Sequence, residues 1–251
     1  MRPRIYIAAL SLTLVTSPVV AADFFQFVTT DTFPPFSIVE DGKLSGPFPE
    51  VTLAVCAEIG ASCRIEVLPT RRAMAKAEEG ELDGILSLLK TTEREALFYF
   101  SEPVVDTAYG VFALSTNPFL YREARDLSGR MVGVYGPSGT QTVLQDAIKG
   151  VTAVQLQIEL NNERLLQKLV SGRYGSEGLA VMNRDVGFYL LKKGGIAGVK
   201  AVGEIGKAQY FIAFSRKKVT PEKFERFNAG LKRLIERGTL DAILDKYAIG
   251  L

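Results

Sequence analysis

The chain has 251 residues, of which 47% are hydrophobic and 23% are charged, and its formal net charge is +2. This composition is typical of a globular protein with one large or two smaller domains, and it excludes a disordered chain, a collagen-like repeat and a small disulfide-rich scaffold. Histidine is absent and only two cysteines are present, which excludes Ser–His–Asp catalysis, Cys–His catalysis and a structural zinc site.

The first 22 residues are typical of a secretory signal peptide. Residues 1–4 are basic, residues 5–15 are mostly apolar, and residues 20–22 are the small residues that precede a cleavage site. The alternative is a transmembrane anchor, but polar residues interrupt the apolar run, which is too short to cross about 30 Å of hydrocarbon. We therefore expect an exported protein that begins near Asp23 and has no lipid anchor, because no cysteine follows the cleavage site.

Strand and helix patterns alternate along the first part of the mature chain. The predicted elements are a strand at residues 24–29, a hairpin at 37–44 that turns at Asp41-Gly42, a helix at 48–59, a strand at 63–68, a helix at 71–79, and strands at 83–89 and 104–114. Pro49 in the first turn and Gly60 at the end support the first of these helices.

A second alternating series completes the chain and predicts an α/β fold. Its elements are a strand at residues 131–135, a helix from 139, a strand at 153–158, a helix at 162–171, a strand at 178–182, a helix at 185–193, a strand at 209–214, and helices at 221–237 and 240–247. The helix at 221–237 carries apolar residues at 3,4 spacing, which predicts a core-facing stripe. The stripe consists of Phe224, Phe227, Leu231, Leu234 and Ile235. The two series fit two successive domains or two lobes, and the absence of a flexible linker favours lobes joined by strands.

The two cysteines, Cys56 and Cys63, lie near the end of a predicted helix and at the start of the next strand. In an exported protein, a disulfide between them would join these two elements and contribute about 2–3 kcal/mol to stability. The alternative is a pair of buried free thiols. We expect the disulfide, with a structural and not a catalytic role.

The charge of the mature chain bears on its partners. The sequence has 30 Lys+Arg and 28 Asp+Glu, and two of the basic residues, Arg2 and Arg4, lie in the expected signal peptide. Without them the charges balance. A nucleic-acid-binding protein needs a surplus of positive charge to neutralise phosphates, so we expect no nucleic-acid partner.

Several motifs follow one another between residues 24 and 247. They are Thr32-Phe33-Pro34-Pro35-Phe36, Asp41-Gly42-Lys43-Leu44-Ser45-Gly46, Gly80-Glu81-Leu82-Asp83-Gly84-Ile85, Thr91-Thr92-Glu93-Arg94, Phe100-Ser101-Glu102-Pro103, Met131-Val132-Gly133-Val134 and Ser138-Gly139-Thr140. Their order and spacing resemble those of the family-3 periplasmic solute-binding proteins, which serve polar amino-acid ABC transporters. The spacing of Cys56 and Cys63 is similar to that of the basic-amino-acid receptors in this family.

The resemblance implies an α/β fold of the type II periplasmic-binding-protein class, in which two lobes clamp a ligand. Each lobe would be a mixed sheet flanked by helices, with a two-strand hinge. Lobe 1 would comprise residues 23–114 and 209–251, and lobe 2 residues 115–208, after a signal peptide at 1–22. The hinge strands would lie near residues 113–118 and 203–209.

The resemblance also implies ligand contacts in lobe 1. Arg94 corresponds to the arginine that binds the ligand's α-carboxylate in amino-acid receptors, and Thr91 belongs to the same motif. A guanidinium offers two parallel, charge-assisted hydrogen bonds to a carboxylate. The alternative is a surface arginine paired with Glu93 or Glu95.

Two further candidates belong to lobe 1. Phe33 lies where the family places an aromatic ring against the ligand side chain, and the alternative is core packing beside the adjacent prolines. Arg72 lies in a segment that resembles one from a less-studied branch of the family. It would contact an anion in the cleft, or pair with Glu78 or Glu79.

The lobe 2 candidates lie in two segments. Ser138-Gly139-Thr140 opens a helix, where unpaired backbone N–H groups and the positive end of the helix dipole can bind an anion. The alternative is a plain helix cap. Asn183 stands where amino-acid receptors of the family carry an Asp that pairs with the ligand's α-ammonium, and a neutral amide cannot neutralise that charge. Asp185 is close in sequence but would point elsewhere if a helix begins there.

Other acidic positions of the family are also changed, which makes the expected pocket less acidic. Thr30 stands at an acidic position before the aromatic residue, with Asp31 after it. We therefore expect a small anionic or carboxylate-bearing solute more than an unmodified α-amino acid.

Together these features predict a periplasmic solute-binding protein, a monomer without a cofactor, that captures a small polar, carboxylate-bearing solute and presents it to an inner-membrane ABC permease. One alternative is a periplasmic dehydratase acting on prephenate or arogenate on the same fold, with Glu50 or Asp31 as candidate general acids. No motif requires that chemistry, and we expect no enzymatic activity. Another alternative is a sensory binding module that acts in trans on a membrane partner.

Overall fold

The structure is a computed structural model that describes residues 23–30 and 33–249. The expected signal peptide lies outside the described residues, as do Asp31 and Thr32. No helix in the described part of the chain has the length and apolar character needed to cross a membrane.

The strands and helices follow the predicted order. The first are β1 (Phe24–Thr30), β2 (Ile38–Glu40), β3 (Lys43–Ser45), α1 (Pro47–Glu58), β4 (Ser62–Leu68), α2 (Thr70–Glu79), β5 (Gly84–Leu89), α3 (Thr92–Glu95), β6 (Phe98–Phe100) and β7 (Val105–Leu114). The others are β8 (Met131–Tyr135), α4 (Gly139–Ala147), β9 (Gln155–Glu159), α5 (Asn162–Val170), β10 (Leu179–Asn183), α6 (Arg184–Lys193), β11 (Val199–Ser215), α7 (Pro221–Glu236) and α8 (Thr239–Lys246). Three short elements were not predicted: α3, β6 and a 3₁₀ helix at Ala124–Leu127.

A nine-stranded mixed sheet runs through the molecule in the order β4-β1-β5-β11-β7-β10-β8-β9, with β6 on β11. At one end β1 is parallel to β4 and β5, and at the other β8 is parallel to β9 and β10. The long antiparallel strands β7 and β11 join these two parallel sets. We refer to the half that contains β1, β4 and β5 as lobe 1, and to the half that contains β8, β9 and β10 as lobe 2. The α/β fold of two lobes is confirmed.

The first half of β11 was missed by the sequence prediction, which started this strand at residue 209. Residues 199–208 include two glycines and three charged side chains, a weak strand pattern. The segment is nevertheless a strand, because residues Val199 to Tyr210 pair with β7, with two register shifts.

The pairings show where the chain passes between the lobes. β11 pairs with β5 of lobe 1 from Tyr210 to Phe214, and β7 pairs with β10 of lobe 2 from Tyr109 to Ala113. Residues 105–109 and 205–210 therefore connect the lobes. Residues 113–118 were expected to form a hinge strand. The structure instead places residues 113 and 114 at the end of β7 that pairs with β10, inside lobe 2. We propose that the first lobe boundary lies near residue 109, and that the second stays near residue 209.

An aromatic core fills lobe 1 between the sheet and helices α1 and α7. Phe25, Phe27, Phe214 and Phe227 are fully buried, and the rings of Phe214 and Phe227 are 4.9 Å apart. The predicted stripe of α7 is confirmed, since its residues are buried or partly buried against this core. Val111, Val134, Leu144 and Val181 belong to a separate core in lobe 2.

Two local predictions in lobe 1 are also confirmed. A disulfide joins Cys56 of α1 to Cys63 of β4. The β2–β3 hairpin turns at Asp41 and Gly42, whose φ angles are 50° and 73°. Such left-handed angles are the reason that Asp-Gly is favoured in two-residue hairpin turns.

Candidate functional site

The predicted site residues all lie at the carboxyl ends of parallel strands. In lobe 1, Phe33 follows β1, Arg72 follows β4, and Thr91 and Arg94 follow β5. In lobe 2, Ser138-Gly139-Thr140 follows β8, and Asn183 is the last residue of β10. Open α/β sheets bind ligands at this edge, because loops and helix N-termini from several strands meet there. The candidate site is therefore the cleft where the carboxyl edges of the two lobes face each other.

Arg94 is held at the end of β5 by the short helix α3. Thr91 caps this helix by accepting a hydrogen bond from the Arg94 backbone N–H at 3.4 Å. The half-buried guanidinium donates from Nη1 to the Leu89 carbonyl at 2.8 Å. In the described part of the chain it forms no ion pair, since Glu95 pairs with Lys90 at 2.7 Å. Its other N–H donors are therefore available to an anion.

Burial lowers the pKa of Arg94, and the neighbouring Glu78, Tyr109 and Tyr210 partly offset this effect. An arginine stays protonated across the accessible pH range even with such a shift. Arg94 thus places a permanent positive charge at the lobe 1 side of the cleft.

The first turn of α4 supplies backbone donors on the lobe 2 side. Ser138 caps this helix, because its hydroxyl accepts from the Gln141 N–H at 3.2 Å and donates to the Tyr135 carbonyl at 2.6 Å. The N–H groups of Gly139 and Thr140 have no acceptor among the described residues. Such N–H groups at a helix N-terminus can bind an anion.

Gly139 brings the start of α4 close to lobe 1. A Cβ atom at this position would lie 3.3 Å from Cδ2 of Leu89 and 3.5 Å from the hydroxyl oxygen of Tyr109. Leu89 is also the residue whose carbonyl holds Arg94. The Arg94 guanidinium and the first turn of α4 therefore both lie next to Leu89.

Two buried tyrosines of the connecting strands lie next to Gly139 and Phe33, and we term them the floor of the proposed cleft. The sequence analysis missed both. Tyr109 of β7 and Tyr210 of β11 are only 1% and 6% exposed. Burial raises the pKa of Tyr109 and raises the pKa of Tyr210 well above its ordinary value, so both hydroxyls stay protonated. The Tyr109 hydroxyl has no hydrogen-bond partner of ordinary geometry among the described residues, although Tyr210 lies beside it. Tyrosines in two predicted strands were the available signal, but a strand pattern does not show which residues meet.

Asn183 lies at the cleft edge, with its side chain engaged in the fold. Its Oδ1 accepts from the backbone N–H groups of Asp185 and Val186 at 3.0 and 3.1 Å, which caps α6. Its Nδ2 donates to the Thr107 hydroxyl at 3.1 Å. Asp185 is buried and accepts from the same hydroxyl at 2.5 Å. A direct contact between Asn183 and a ligand stays a prediction, and its observed role is to position the start of α6.

Phe33 and Arg72 differ in their surroundings. Phe33 is half-buried, and its ring centre lies 4.8 Å from that of Phe36 and 5.2 Å from that of Tyr210. It therefore joins the aromatic floor of the cleft to the lobe 1 core. Arg72 is exposed in the first turn of α2 and forms no ion pair within residues 33–249, so the expected alternative of pairing with Glu78 or Glu79 is not observed.

Comparison with solved structures supports the two-lobed fold. An ancestral arginine-binding protein has been solved with arginine and with glutamine. The arginine complex is 25% identical to this chain with a TM-score of 0.74, over 89% of this chain and 97% of that one. The substrate-binding protein of an amino acid ABC transporter is 20% identical with a TM-score of 0.71, over 89% and 98% of the two chains.

A third similar structure is the second substrate-binding domain of GlnP from Lactococcus lactis, in an open conformation. It is 21% identical with a TM-score of 0.68, over 92% of this chain and 97% of that one. No curated protein sequence matches the chain significantly. The family model for bacterial extracellular solute-binding proteins, family 3, matches residues 25–250. The match spans both lobes and every predicted site residue, and the chain therefore belongs to family 3 of the bacterial extracellular solute-binding proteins.

Proposed function

We propose that this protein binds a small polar solute with a carboxylate group, an amino acid or a related compound, in the cleft between its lobes. The observation that carries the proposal is that Arg94 of lobe 1 and the first turn of α4 of lobe 2 both lie next to Leu89. A carboxylate in the cleft would accept hydrogen bonds from the guanidinium on lobe 1 and from the Gly139 and Thr140 N–H groups on lobe 2. Because these contacts involve both lobes, the ligand stabilises the closed arrangement.

The rest of the solute would lie against the aromatic floor. Phe33 and Tyr210 supply an apolar wall, and the unpaired hydroxyl of Tyr109 supplies a hydrogen-bonding group beside it. Arg72 is a second cation on the lobe 1 rim. We therefore infer that one end of the ligand is held by charge and the other by ring contacts.

An ammonium group would be held less firmly than a carboxylate. Asn183 is neutral, and Asp185 is buried and bonded to Thr107. Arginine and glutamine, which the ancestral relative binds, both carry an α-carboxylate. We infer that the carboxylate is the anchored group, and that the α-ammonium is not required.

We further propose that the protein acts in the periplasm as a monomer, after cleavage of its signal peptide near Ala22, and delivers the solute unchanged to an inner-membrane ABC permease. The family and the amino acid ABC transporter protein of similar structure support this role. No catalytic step is assigned to the cleft.

A ligand screen on the protein purified from the periplasm tests the proposal. Amino acids, their N-acyl derivatives and small carboxylates, including prephenate, are compared by thermal shift and then by calorimetry. A ligand at 100 times its Kd stabilises by about 2.7 kcal/mol, which is a Tm shift of roughly 5–11 °C for a chain of this size.

Matched variants locate the site. Arg94→Ala should weaken binding at least tenfold, or about 1.4 kcal/mol. Arg125→Ala is the control, because Arg125 lies on lobe 2 with a side chain that is 80% exposed. NMR of the recovered ligand separates the functions: an unchanged compound supports a receptor, and a converted compound shows an enzyme. If no carboxylate stabilises the protein, the proposed ligand class is wrong.

A further inference from the structure

A second cavity lies between the lobes beside α6, with a volume of about 400 Å³. Its lobe 1 wall includes Pro35, Ile38 and the end of α8, and its lobe 2 wall includes Phe188 and Tyr189 of α6. Neither Arg94 nor the first turn of α4 lines this space. We term it the α6 cavity, and it is separate from the contacts proposed above for the carboxylate.

The walls of the α6 cavity are apolar and firmly held. Phe188 is 43% exposed, and its ring lies edge-on to Phe112 at 5.8 Å, so its inner edge is anchored in the lobe 2 core. On lobe 1, the hydroxyl of Tyr247 accepts from the Gly46 N–H at 3.1 Å and donates to Glu50. A solvent-accessible ring over a preformed cavity of this size is typical of a small-molecule site.

Three lysines line the α6 cavity, and two of them are already paired. Lys193 donates to Glu40 at 2.7 Å, and Lys246 donates to Glu50 at 2.8 Å. Lys192 is exposed and forms no ion pair with any residue that the structure describes. The cavity therefore presents one uncompensated ammonium group to a ligand.

The carboxylates of the lining are also engaged. Glu40 is paired with Lys193, and Asp185 is bonded to Thr107 and lies 3.9 Å from the Arg184 guanidinium. An anion that enters the cavity meets the charge of Lys192 without an unpaired carboxylate beside it.

We propose that the α6 cavity is a second ligand site, for a monoanion with an apolar, ring-sized body such as an arylalkyl carboxylate. Lys192 binds the carboxylate, while Phe188 and Ile38 cover the ring from the two lobes. Because the walls belong to different lobes, a ligand in this cavity stabilises the lobe arrangement of the structure. The site thereby goes beyond the cleft function, since it adds a second ligand that contacts both lobes.

Calorimetry with 3-phenylpropionate as the probe tests this proposal on the purified protein. We expect saturable binding of 3-phenylpropionate, and at least tenfold weaker binding of acetate, which lacks the ring, and of 2-phenylethylamine, which reverses the charge. Lys192→Gln and Phe188→Ser should each weaken 3-phenylpropionate binding about tenfold, or about 1.4 kcal/mol. Lys217→Gln, an exposed lysine of lobe 1 remote from the cavity, is the matched control. Thermal melting of each variant establishes that it is folded.

The Arg94→Ala variant separates this site from the cleft. It should bind 3-phenylpropionate with the wild-type Kd, whatever its effect on the cleft ligand. Loss of binding in Arg94→Ala with retention in Lys192→Gln would place the probe in the cleft and overturn the proposal. Equal binding of 2-phenylethylamine, or no saturation by 3-phenylpropionate, would overturn it as well.

Discussion

Glu40 at the end of β2 and Lys193 of α6 form an ion pair between the lobes, with 2.7 Å between Oε1 and Nζ. A hydrogen bond from Lys193 and its charge lower the pKa of Glu40, so the pair is ionised at neutral pH. Exposed ion pairs add little to folding stability. This pair joins elements of different lobes, however, so its attraction holds the two lobes together.

Charge reversal at this pair should separate the lobes. We expect Lys193→Glu to increase the radius of gyration of the ligand-free protein, measured by small-angle X-ray scattering at low ionic strength. The double variant Glu40→Lys/Lys193→Glu should restore the wild-type value. Lys149→Glu is the control, because Lys149 pairs with Asp146 inside lobe 2 at 2.7 Å. An unchanged radius in Lys193→Glu would contradict a role for the pair in holding the lobes.

The same pair has a defined pH dependence. Pairing with Lys193 lowers the pKa of Glu40. The attraction between the two side chains is therefore complete at a pH above the ordinary carboxyl pKa. It is lost as the pH falls through the lowered pKa and Glu40 becomes protonated. The radius of gyration of the wild-type protein should therefore rise in acid before the chain unfolds, while Glu40→Gln should show no such step.

Side-chain volume at Gly139 should control ligand binding. A Cβ there would lie 3.3 Å from Leu89 and 3.5 Å from the Tyr109 hydroxyl, a close approach between lobe 2 and lobe 1. We expect Gly139→Ala to weaken the cleft ligand modestly and Gly139→Val to weaken it at least tenfold, or about 1.4 kcal/mol, because a branched side chain holds the lobes apart. Calorimetry measures both. Equal affinity in the two variants would show that the approach is not needed for binding.

The two floor tyrosines should respond differently to loss of their hydroxyl groups. The Tyr109 hydroxyl is buried without a partner of ordinary geometry, so Tyr109→Phe should leave stability unchanged or raise it by up to about 1 kcal/mol. Asn183 and Tyr109 both act on the pKa of the buried Tyr210 hydroxyl, so Tyr210→Phe, which removes that hydroxyl, should destabilise by up to about 1 kcal/mol.

Ligand affinity tests whether the Tyr109 hydroxyl contacts the cleft ligand. Tyr109→Phe should weaken the cleft ligand while retaining stability, as measured by urea unfolding alongside calorimetry. Unchanged affinity would remove the Tyr109 hydroxyl from the ligand contacts.

Buried tyrosines should make the protein unfold in alkali. Burial is the main cause that raises the pKa of Tyr109, Tyr174 and Tyr210. In the unfolded chain these tyrosines have a pKa of about 10. Their contribution to folding stability is therefore complete below that pH. It is lost as the pH rises further, because the unfolded chain releases the phenol protons before the folded protein does. Phenolate absorbance should show that these three of the eight tyrosines that follow residue 22 ionise only as circular dichroism reports unfolding. Ionisation of all eight in a folded protein would contradict the burial of these three side chains.

Features encoded within a few neighbouring residues were predictable from the sequence. The hairpin at Asp41-Gly42, the apolar stripe of α7 and the helix start at Ser138 each depend on local backbone preference or side-chain periodicity. The strands predicted at residues 83–89 and 131–135 also end shortly before Arg94 and Ser138, as they do in the structure.

Contacts between distant segments could be decided only by the tertiary structure. Strand pairing brings Tyr109 and Tyr210 together and makes a strand of residues 199–208, because ladder hydrogen bonds and packing outweigh weak local propensity. Lobe packing likewise joins Glu40 to Lys193 across 153 residues. The sequence by itself thus determined the family and most of the elements, while the cleft floor, the interlobe ion pair and the α6 cavity arise from long-range packing.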